Sequence, residues 1–264
     1  MVKRWALPAV LLLMSPFVSA HDYWLEPKSS FPSPGTHFDV SLFVGMDLTP
    51  EKEHPYQTER VESYVVKGSG ATDAKPVEGR KPAFSVPLGK SGDVLVALVR
   101  KVAHIELTAE EFNDYLAHEG LPHILQARQN AGIAGKPARE KYTRYLKAFG
   151  RAGSGDGQVF TEPVGHTLEI VPAKDPLSLK AGEVLQVKVL FEGKPLAGGT
   201  LFAYGRAGKE IRKATYSCGE DGTAEIRIPG PGIWSIRLIH MRECVGCKDA
   251  DYESFWTGIT FEVR

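Results

Sequence analysis

Short runs of alternating apolar and polar residues recur at intervals of roughly ten residues in the second half of this sequence, and this spacing restricts the fold more than any other feature. Residues 184–191 alternate until their last pair, and residues 38–44 do the same in the first half. An alternation of period two places apolar side chains on one face of a β-strand. Between two later runs, Asp221-Gly222 is a strong hairpin-turn signal. The sequence therefore predicts a mainly β fold.

Residues 108–149 have the features of a helical insert between these β-rich parts. Thr108 and Glu111 fit a capping box, in which each side chain bonds to the other residue's backbone N–H. The apolar residues that follow at helical spacing are Phe112, Tyr115 and Leu116. Pro122 suits the first turn of a second helix, which we expect to end near residue 130.

A third helix is predicted from Pro137 to about residue 149. Its apolar stripe would consist of Tyr142, Tyr145, Leu146 and Phe149. Its other face would carry four basic residues, Arg139, Lys141, Arg144 and Lys147. We expect these charges to face solvent, and an anion-binding or partner-binding site is the alternative.

These patterns predict two β-sandwich-like domains, and the helical insert belongs to the first. Residues 21–160 would form an N-terminal β domain that carries the insert at about 108–149. The glycine-rich residues 150–157 suggest a flexible connection. Residues 161–264 contain short strands over about a hundred residues, which is typical of an immunoglobulin-like β-sandwich.

The first twenty residues have the pattern of a secretory signal peptide. Lys3 and Arg4 precede an apolar run that is too short to span a bilayer, and Val18-Ser19-Ala20 supplies small residues before a cleavage point. We therefore expect residues 1–20 to be removed and the mature protein to be periplasmic, with no membrane span.

Cleavage after Ala20 would make His21 the first residue of the mature chain. A terminal histidine carries a free α-amine and an imidazole on one residue, and the two nitrogens can close a chelate ring on a metal ion. The ordinary pKa of an α-amine, about 8, allows a metal to displace its proton near neutral pH. His21 is therefore a candidate metal ligand.

Charge and motif content exclude several other classes of protein. Removal of Lys3 and Arg4 with the leader leaves 30 basic residues against 32 acidic ones, and a nucleic-acid-binding protein would need a basic surface. The sequence contains no H-E-x-x-H pair, no G-x-S-x-G element and no nucleotide-binding glycine pattern. We therefore expect a binding protein and not an enzyme.

Three cysteines, Cys218, Cys244 and Cys247, would enter an oxidising compartment, and their odd number leaves one without a partner in the chain. If residues 211–217, 224–228 and 233–241 form an antiparallel meander, Cys218 lies at the same end as the other two. A disulfide from Cys218 to either of them is then possible, and so is a Cys244–Cys247 disulfide. Metal ligation by Cys244 and Cys247 and thiol-redox chemistry are the alternatives.

Several segments taken together resemble a family of exported bacterial proteins of unknown function, whose members are commonly described as the periplasmic component of a cobalt/nickel-type ABC transport system. The resemblance spans the mature chain, although Thr143 stands where serine is usual and Tyr252 where tryptophan is usual. The segments that carry it are His-Asp-Tyr-Trp-Leu-Glu-Pro (21–27), Ile-Glu-Leu (105–107), Tyr-Thr-Arg-Tyr-Leu-Lys (142–147), Leu-Glu-Ile-Val-Pro (168–172), His-Met (240–241) and Asp-Tyr-Glu-Ser-Phe-Trp (251–256).

The resemblance implies a non-catalytic accessory protein that binds nickel or cobalt and serves a membrane permease of a metal uptake system. It favours His21 and His240 as ligands, and Cys244 and Cys247 are further candidates for the same site. On spacing alone, we expect His240 to be a hydrogen-bonded histidine at a strand end, with a metal ligand as the alternative. Amine and imidazole nitrogens also suit copper, which has the higher intrinsic affinity, so a copper-binding protein is one alternative. A structural or carbohydrate-binding sandwich without metal is another, and a thiol-redox enzyme is a third.

Overall fold

A computed structural model describes residues 21–68 and 74–264, so the predicted signal peptide lies outside the described residues. Strands make up 51% of the fold and helices 12%, which confirms the mainly β, sandwich-like prediction. Within the described ranges, no helix is both long enough and apolar enough to cross a membrane.

The strands follow one another in short steps along the chain. Those of the first half are β1 (Asp22–Pro27), β2 (His37–Met46), β3 (Thr49–His54), β4 (Val61–Gly68), β5 (Phe84–Pro87), β6 (Gly92–Arg100), β7 (Ala103–Leu107) and β8 (Ala138–Ala152). Those of the second half are β9 (Leu168–Pro172), β10 (Val184–Phe191), β11 (Lys194–Pro195), β12 (Thr200–Ala207), β13 (Glu210–Ser217), β14 (Thr223–Arg227), β15 (Gly232–Glu243) and β16 (Tyr252–Val263).

The helices are fewer and short. They are α1 (Ala109–His118), α2 (Pro122–Asn130) and α3 (Gln158–Thr161), with 3₁₀ turns at Thr58–Arg60 and Pro176–Ser178. The capping box of α1 is confirmed, because Thr108 Oγ1 accepts from Glu111 N at 3.3 Å and Glu111 Oε2 accepts from Thr108 N at 2.9 Å. The predicted apolar face of α1 is buried, and α2 begins at Pro122 as expected.

One large sheet runs through the middle of the molecule, in the order β13-β12-β15-β16-β8-β6-β4, with β7 also paired to β8. Strands β16 and β8 are parallel neighbours, and their residues pair from Tyr252 with Glu140 to Thr260 with Ala148. The sheet therefore joins strands from both sides of residue 160 by hydrogen bonds. The division into domains at that residue stays a prediction.

Two smaller sheets cover opposite faces of the central sheet. Strand β8 shows this directly, because alternate side chains of a strand point to opposite faces. Leu146 and Ala148 pack into the core beneath β1, β2 and β5, while Tyr145 and Phe149 pack into the core beneath β9, β10 and β14. We call the first side the N-terminal face and the second the C-terminal face. Helices α1 and α2 complete the N-terminal face, where they cover Trp256 and its neighbours.

The predicted third helix is wrong, because residues 138–152 form the long strand β8. Tyr142, Tyr145, Leu146 and Phe149 mimic helical spacing, but the strand lies inside the central sheet and buries side chains on both faces. A strand covered on both faces loses the alternation that identifies half-exposed strands. The insert is therefore helical only over α1 and α2.

The proposed solvent-exposed charged face is also wrong for two of its four residues. Arg144 is 8% exposed and Lys147 is 1% exposed. Lys147 Nζ lies 2.8 Å from Glu169 Oε1, and Glu169 also accepts backbone N–H groups from Val164, Gly165 and His166. Burial lowers the pKa of Lys147, and Glu169 opposes that effect. This ion pair joins β8 to β9 within the core of the C-terminal face.

The suggested meander of 211–217, 224–228 and 233–241 is wrong as well. Strand β13 pairs with β12, and β15 pairs with β12 and β16, but β14 crosses to the small sheet and pairs with β10. Cys218 is buried and has no disulfide, whereas Cys244 and Cys247 are joined to each other. Of the three pairings considered, the structure therefore has the local one, Cys244–Cys247.

Candidate functional site

His21 precedes β1 at the edge of the N-terminal small sheet and lies beside Glu51 of β3. Its Nε2 is 3.1 Å from Glu51 Oε2, and the two side chains are 44% and 50% exposed. A carboxylate only accepts hydrogen bonds, so Nε2 carries the proton in this contact. In the neutral ring Nδ1 then keeps its lone pair. Glu51 therefore does not use Nδ1, the ring nitrogen that is separated by fewer bonds from the backbone nitrogen of His21.

A β-bulge brings Glu51 to this position. Val44 pairs with Lys52 and Gly45 pairs with Pro50, so Glu51 is the extra residue between them. The bulge requires glycine on the partner strand, because a Cβ at position 45 would lie 2.0 Å from the carbonyl oxygen of Thr49. A bulge redirects the side chain of its extra residue. Gly45 also pairs with Asp22, which places the bulge next to the start of β1.

Arg144, on β8 of the central sheet, holds the backbone at His21. Its Nη2 donates to the carbonyl oxygen of His21 at 3.4 Å. Its guanidinium carbon lies 4.5 Å from the ring centres of Tyr23 and Tyr142 and 5.0 Å from that of Trp256. Such cation–π contacts stabilise a desolvated guanidinium. Arg144 therefore fixes the entry of β1 onto the central sheet.

Asp22 points away from His21 and belongs to a different polar cluster. Its Oδ1 lies 3.0 Å from Nε of Arg237, and Arg237 also contacts Glu119 Oε2 at 2.6 Å and donates to the hydroxyl of Tyr204 at 3.1 Å. Burial raises the pKa of Asp22 to about 6, and the positive charge of Arg237 opposes the rise. The cluster ties β1 and the end of α1 to β12 and β15. Its carboxylates are therefore already occupied by Arg237.

His240 lies on the opposite side of the central sheet from His21. Its ring centre is 4.4 Å from that of Phe191 on β10, and its cross-strand partner is Phe255. Phe255 belongs to the core of the C-terminal face, whereas the next residue, Trp256, contacts Arg144 on the N-terminal face. Burial lowers the pKa of His240, and so do the charges of neighbouring basic groups. The fold does not bring His21 and His240 into one site.

The Cys244–Cys247 disulfide closes the turn between β15 and β16. In this form neither sulfur is a thiolate that could ligate a metal or attack another disulfide. Nζ of Lys141 lies 3.3 Å from Cys247 Sγ. Cys218 forms no disulfide, and burial raises the pKa of its thiol to about 11. Ligation of a metal by the reduced cysteines stays a prediction.

A buried carboxyl group lies beneath α1, close to Arg144. Glu140 is 2% exposed, accepts from the hydroxyl of Tyr115 at 3.2 Å and is hydrogen-bonded to Ser254 Oγ. Trp256 Nε1 donates to the same Ser254 hydroxyl at 3.0 Å. Burial raises the pKa of Glu140 to about 7, although these hydrogen bonds oppose the rise. Glu140 is therefore a group that changes charge near neutral pH.

The sequence analysis predicted His21 as a ligand but did not identify Glu51 and Arg144 as its neighbours. Glu51 lies in the run Pro50-Glu51-Lys52-Glu53-His54, where nothing in the residue types distinguishes it from its neighbours. Only Gly45, on the preceding strand, hints at a bulge. Across residues 21–68 and 74–264, no three histidine, cysteine, aspartate or glutamate side chains converge closely enough to hold a metal ion. A metal at His21 would therefore take most of its remaining ligands from solvent or from a second molecule.

A comparison with curated proteins gives no significant match. A comparison with family models gives one, over residues 18–242, which include β1, the bulge at Glu51, Arg144 and His240. The chain therefore belongs to the family described as Domain of unknown function (DUF4198).

Proposed function

We propose that this protein is a periplasmic, non-catalytic accessory protein of divalent transition-metal uptake, which binds nickel or cobalt at the N-terminus of its mature chain. Signal cleavage after Ala20 would turn the backbone nitrogen of His21 into an amine. That amine and Nδ1 of the same residue would form the chelate, and the metal is cargo to be passed to a membrane permease.

The contact between His21 and Glu51 is the observation that carries the proposal. A metal-binding histidine usually donates its other ring N–H to a carboxylate or carbonyl, and this partner fixes the ring and raises its basicity. Glu51 Oε2 at 3.1 Å from Nε2 provides that partner and leaves Nδ1 for the metal. The negative charge of Glu51 also favours a cation nearby.

Exposure of the site suits a carrier. With His21 and Glu51 about half exposed, water and a receiving protein can reach the bound ion. A chelate of two nitrogens with open remaining positions releases its ion more easily than a closed cage does. His240 packs against Phe191 on the opposite side of the central sheet, and Cys244 and Cys247 are joined in a disulfide. We therefore propose a metal site at His21 that does not include these three residues.

Calorimetric titration of the mature protein with Ni²⁺, Co²⁺ and Cu²⁺ tests this proposal. We expect micromolar or tighter binding and its loss in a variant with one alanine added before His21, because the added peptide bond removes the amine. Glu51→Gln should weaken binding by about ten- to a hundredfold, the usual effect of losing a carboxylate behind a metal-bound histidine. The matched control is Glu225→Gln, an exposed glutamate on β14.

The possible outcomes of the titration lead to different conclusions. Selective tight binding of Cu²⁺ with the same variant effects would make the protein a copper carrier and not a nickel or cobalt one. Equal binding by the extended variant would remove the terminal amine from the site. Absence of binding by all three ions would overturn the proposal and favour a structural or carbohydrate-binding sandwich.

A further inference from the structure

The Cys244–Cys247 turn between β15 and β16 is open to solvent. Val245, which lies between the two cysteines, is 93% exposed. A Cβ at Gly246 would meet no other described residue within 4 Å, apart from its chain neighbours. Cys244 is 9% exposed, whereas Cys247 is partly exposed. A second protein can therefore approach this turn, and Cys247 is the more accessible of its two cysteines.

Contacts other than the disulfide also hold this turn. The backbone N–H of Cys244 donates to the carbonyl oxygen of Asp251 at 2.9 Å, and that of Asp251 donates to the carbonyl oxygen of Arg139 at 2.8 Å. Nε2 of His104 lies 3.0 Å from Oδ2 of Asp249. A disulfide between residues three apart closes a very short loop, so it removes little conformational entropy from the unfolded chain. Opening this disulfide should therefore leave the fold intact.

Lys141, on β8, places a positive charge beside the more accessible sulfur. Its Nζ donates to Cys247 Sγ at 3.3 Å, and its side chain is 28% exposed. A neighbouring lysine favours the thiolate form of a cysteine over the thiol, as does a helix N-terminus. Because the turn joins two strands, Lys141 provides the charge that a helix N-terminus provides in other C-x-x-C sites.

The acidic side chains near Lys141 also have other basic partners. Glu253 Oε2 lies 3.3 Å from Lys141 Nζ, but Glu253 Oε1 lies 2.5 Å from Nε of Arg242. The two aspartates of the turn are paired with basic side chains of β7 and β8. Lys248, which follows Cys247, adds a further positive charge. Lys141 therefore shares Glu253 with a second cation and keeps part of its charge for the sulfur.

We propose that Cys244–Cys247 is a redox-active disulfide that accepts two electrons from the dithiol of another protein. A partner thiol loses its proton to solvent, and its thiolate attacks Sγ of Cys247. The S–S bond breaks, and Cys244 leaves as a thiolate that takes a proton from solvent. The partner's second thiol then loses its proton, and its sulfur attacks the partner's own sulfur in the mixed disulfide. This step completes the partner's disulfide and releases Cys247 as a thiolate beside Lys141. The proposal is independent of metal binding at His21.

Equilibration of the mature protein with glutathione buffers of graded thiol-to-disulfide ratio tests the proposal, with the free thiols counted by mass spectrometry. We expect millimolar glutathione to reduce the pair while circular dichroism stays unchanged, because structural disulfides resist this reductant. Lys141→Met should shift the equilibrium about three- to tenfold toward the disulfide, as expected for a partly exposed charge. Lys141→Arg keeps the charge and should retain most of the wild-type equilibrium. Lys188→Met, at an exposed lysine on β10, is the matched control and should change nothing.

Cys244→Ser keeps the test decisive if Lys141→Met fails to fold. At about pH 6, where an ordinary thiol with a pKa of about 8.5 is almost fully protonated, Cys247 should still form a mixed disulfide with oxidised glutathione. Buried Cys218 is the internal reference and should not react. Reduction of the wild-type pair only in denaturant would overturn the proposal. So would an unchanged equilibrium in folded Lys141→Met, or a Cys247 that does not react at this pH.

Discussion

Glu140→Gln should change how the stability of this protein depends on pH. The folded pKa of Glu140, about 7, lies above its ordinary value of 4.5 because the group is buried. A raised pKa means that the folded state favours the protonated carboxyl. Its contribution to stability is therefore fully present below pH 4.5 and is lost as the pH rises through about 7. A glutamine side chain at position 140 is neutral at every pH, so this position causes no loss of unfolding free energy in the variant as the pH rises.

The size of the effect follows from the pKa values. A rise from 4.5 to about 7 corresponds to about 3 kcal/mol, at about 1.4 kcal/mol for each pKa unit. Relative to wild type, Glu140→Gln should therefore gain about 3 kcal/mol of unfolding free energy between pH 4.5 and pH 8. Asp22 also has a raised pKa, but it contributes the same slope to both proteins and cancels in the difference.

Urea unfolding at several pH values, followed by tryptophan fluorescence, measures this difference. Glu225→Gln serves as the control, because Glu225 is exposed and its replacement should shift the stability curve little at any pH. Parallel pH curves for wild type and Glu140→Gln would refute the reasoning. They would show that the hydrogen bonds from Tyr115 and Ser254 offset the burial of the charge completely.

Two further predictions concern stability. Lys147→Met should destabilise the protein by about 3 to 5 kcal/mol in urea unfolding, because it leaves the charge of Glu169 buried without its partner. The double variant Lys147→Met with Glu169→Gln should recover part of that loss, and no recovery would contradict the ion-pair explanation. Thr108→Ala should cost about 1 kcal/mol in the same assay through loss of the α1 cap. Thr215→Ala, at an exposed threonine on β13, is a comparison in which no helix cap is lost.

Local sequence signals predicted local structure well. The capping box at Thr108 depends on residues three apart, and the alternation of residues 184–191 depends on neighbours. Both patterns act within a few residues, so their physical meaning does not change with the rest of the fold. The same holds for Pro122, whose fixed φ suits the first turn of a helix wherever that helix packs.

Predictions that depended on what covers a segment failed. Residues 138–152 form a strand with two buried faces, and a sequence pattern cannot show that a second face is covered by another sheet. Arg144 and Lys147 are charged and still buried, because aromatic rings surround one and Glu169 pairs with the other. The sequence contains those partners but does not indicate that they meet.

In the candidate metal site, too, one residue could be chosen from a local sequence signal and its neighbour could not. His21 was identifiable from the leader pattern, whereas the contact with Glu51 depends on a bulge that shifts β3 by one residue. A shift of one residue moves a side chain to the other face of a strand, so the neighbour of His21 could not be assigned from residue types. His240 shares a chain with His21 but faces the other side of the central sheet.

The parallel pairing of β16 with β8 has a consequence for the order in which the molecule can be assembled. Strand β16 lies between β8 and β15, so the central sheet stays split into two separate ribbons until residues 252–263 are present. Each ribbon then has an open edge with unpaired backbone groups, which are prone to pair with other chains. A polypeptide that emerges from its N-terminus therefore cannot reach the native topology early. Its completion awaits β16, the last strand of the described residues.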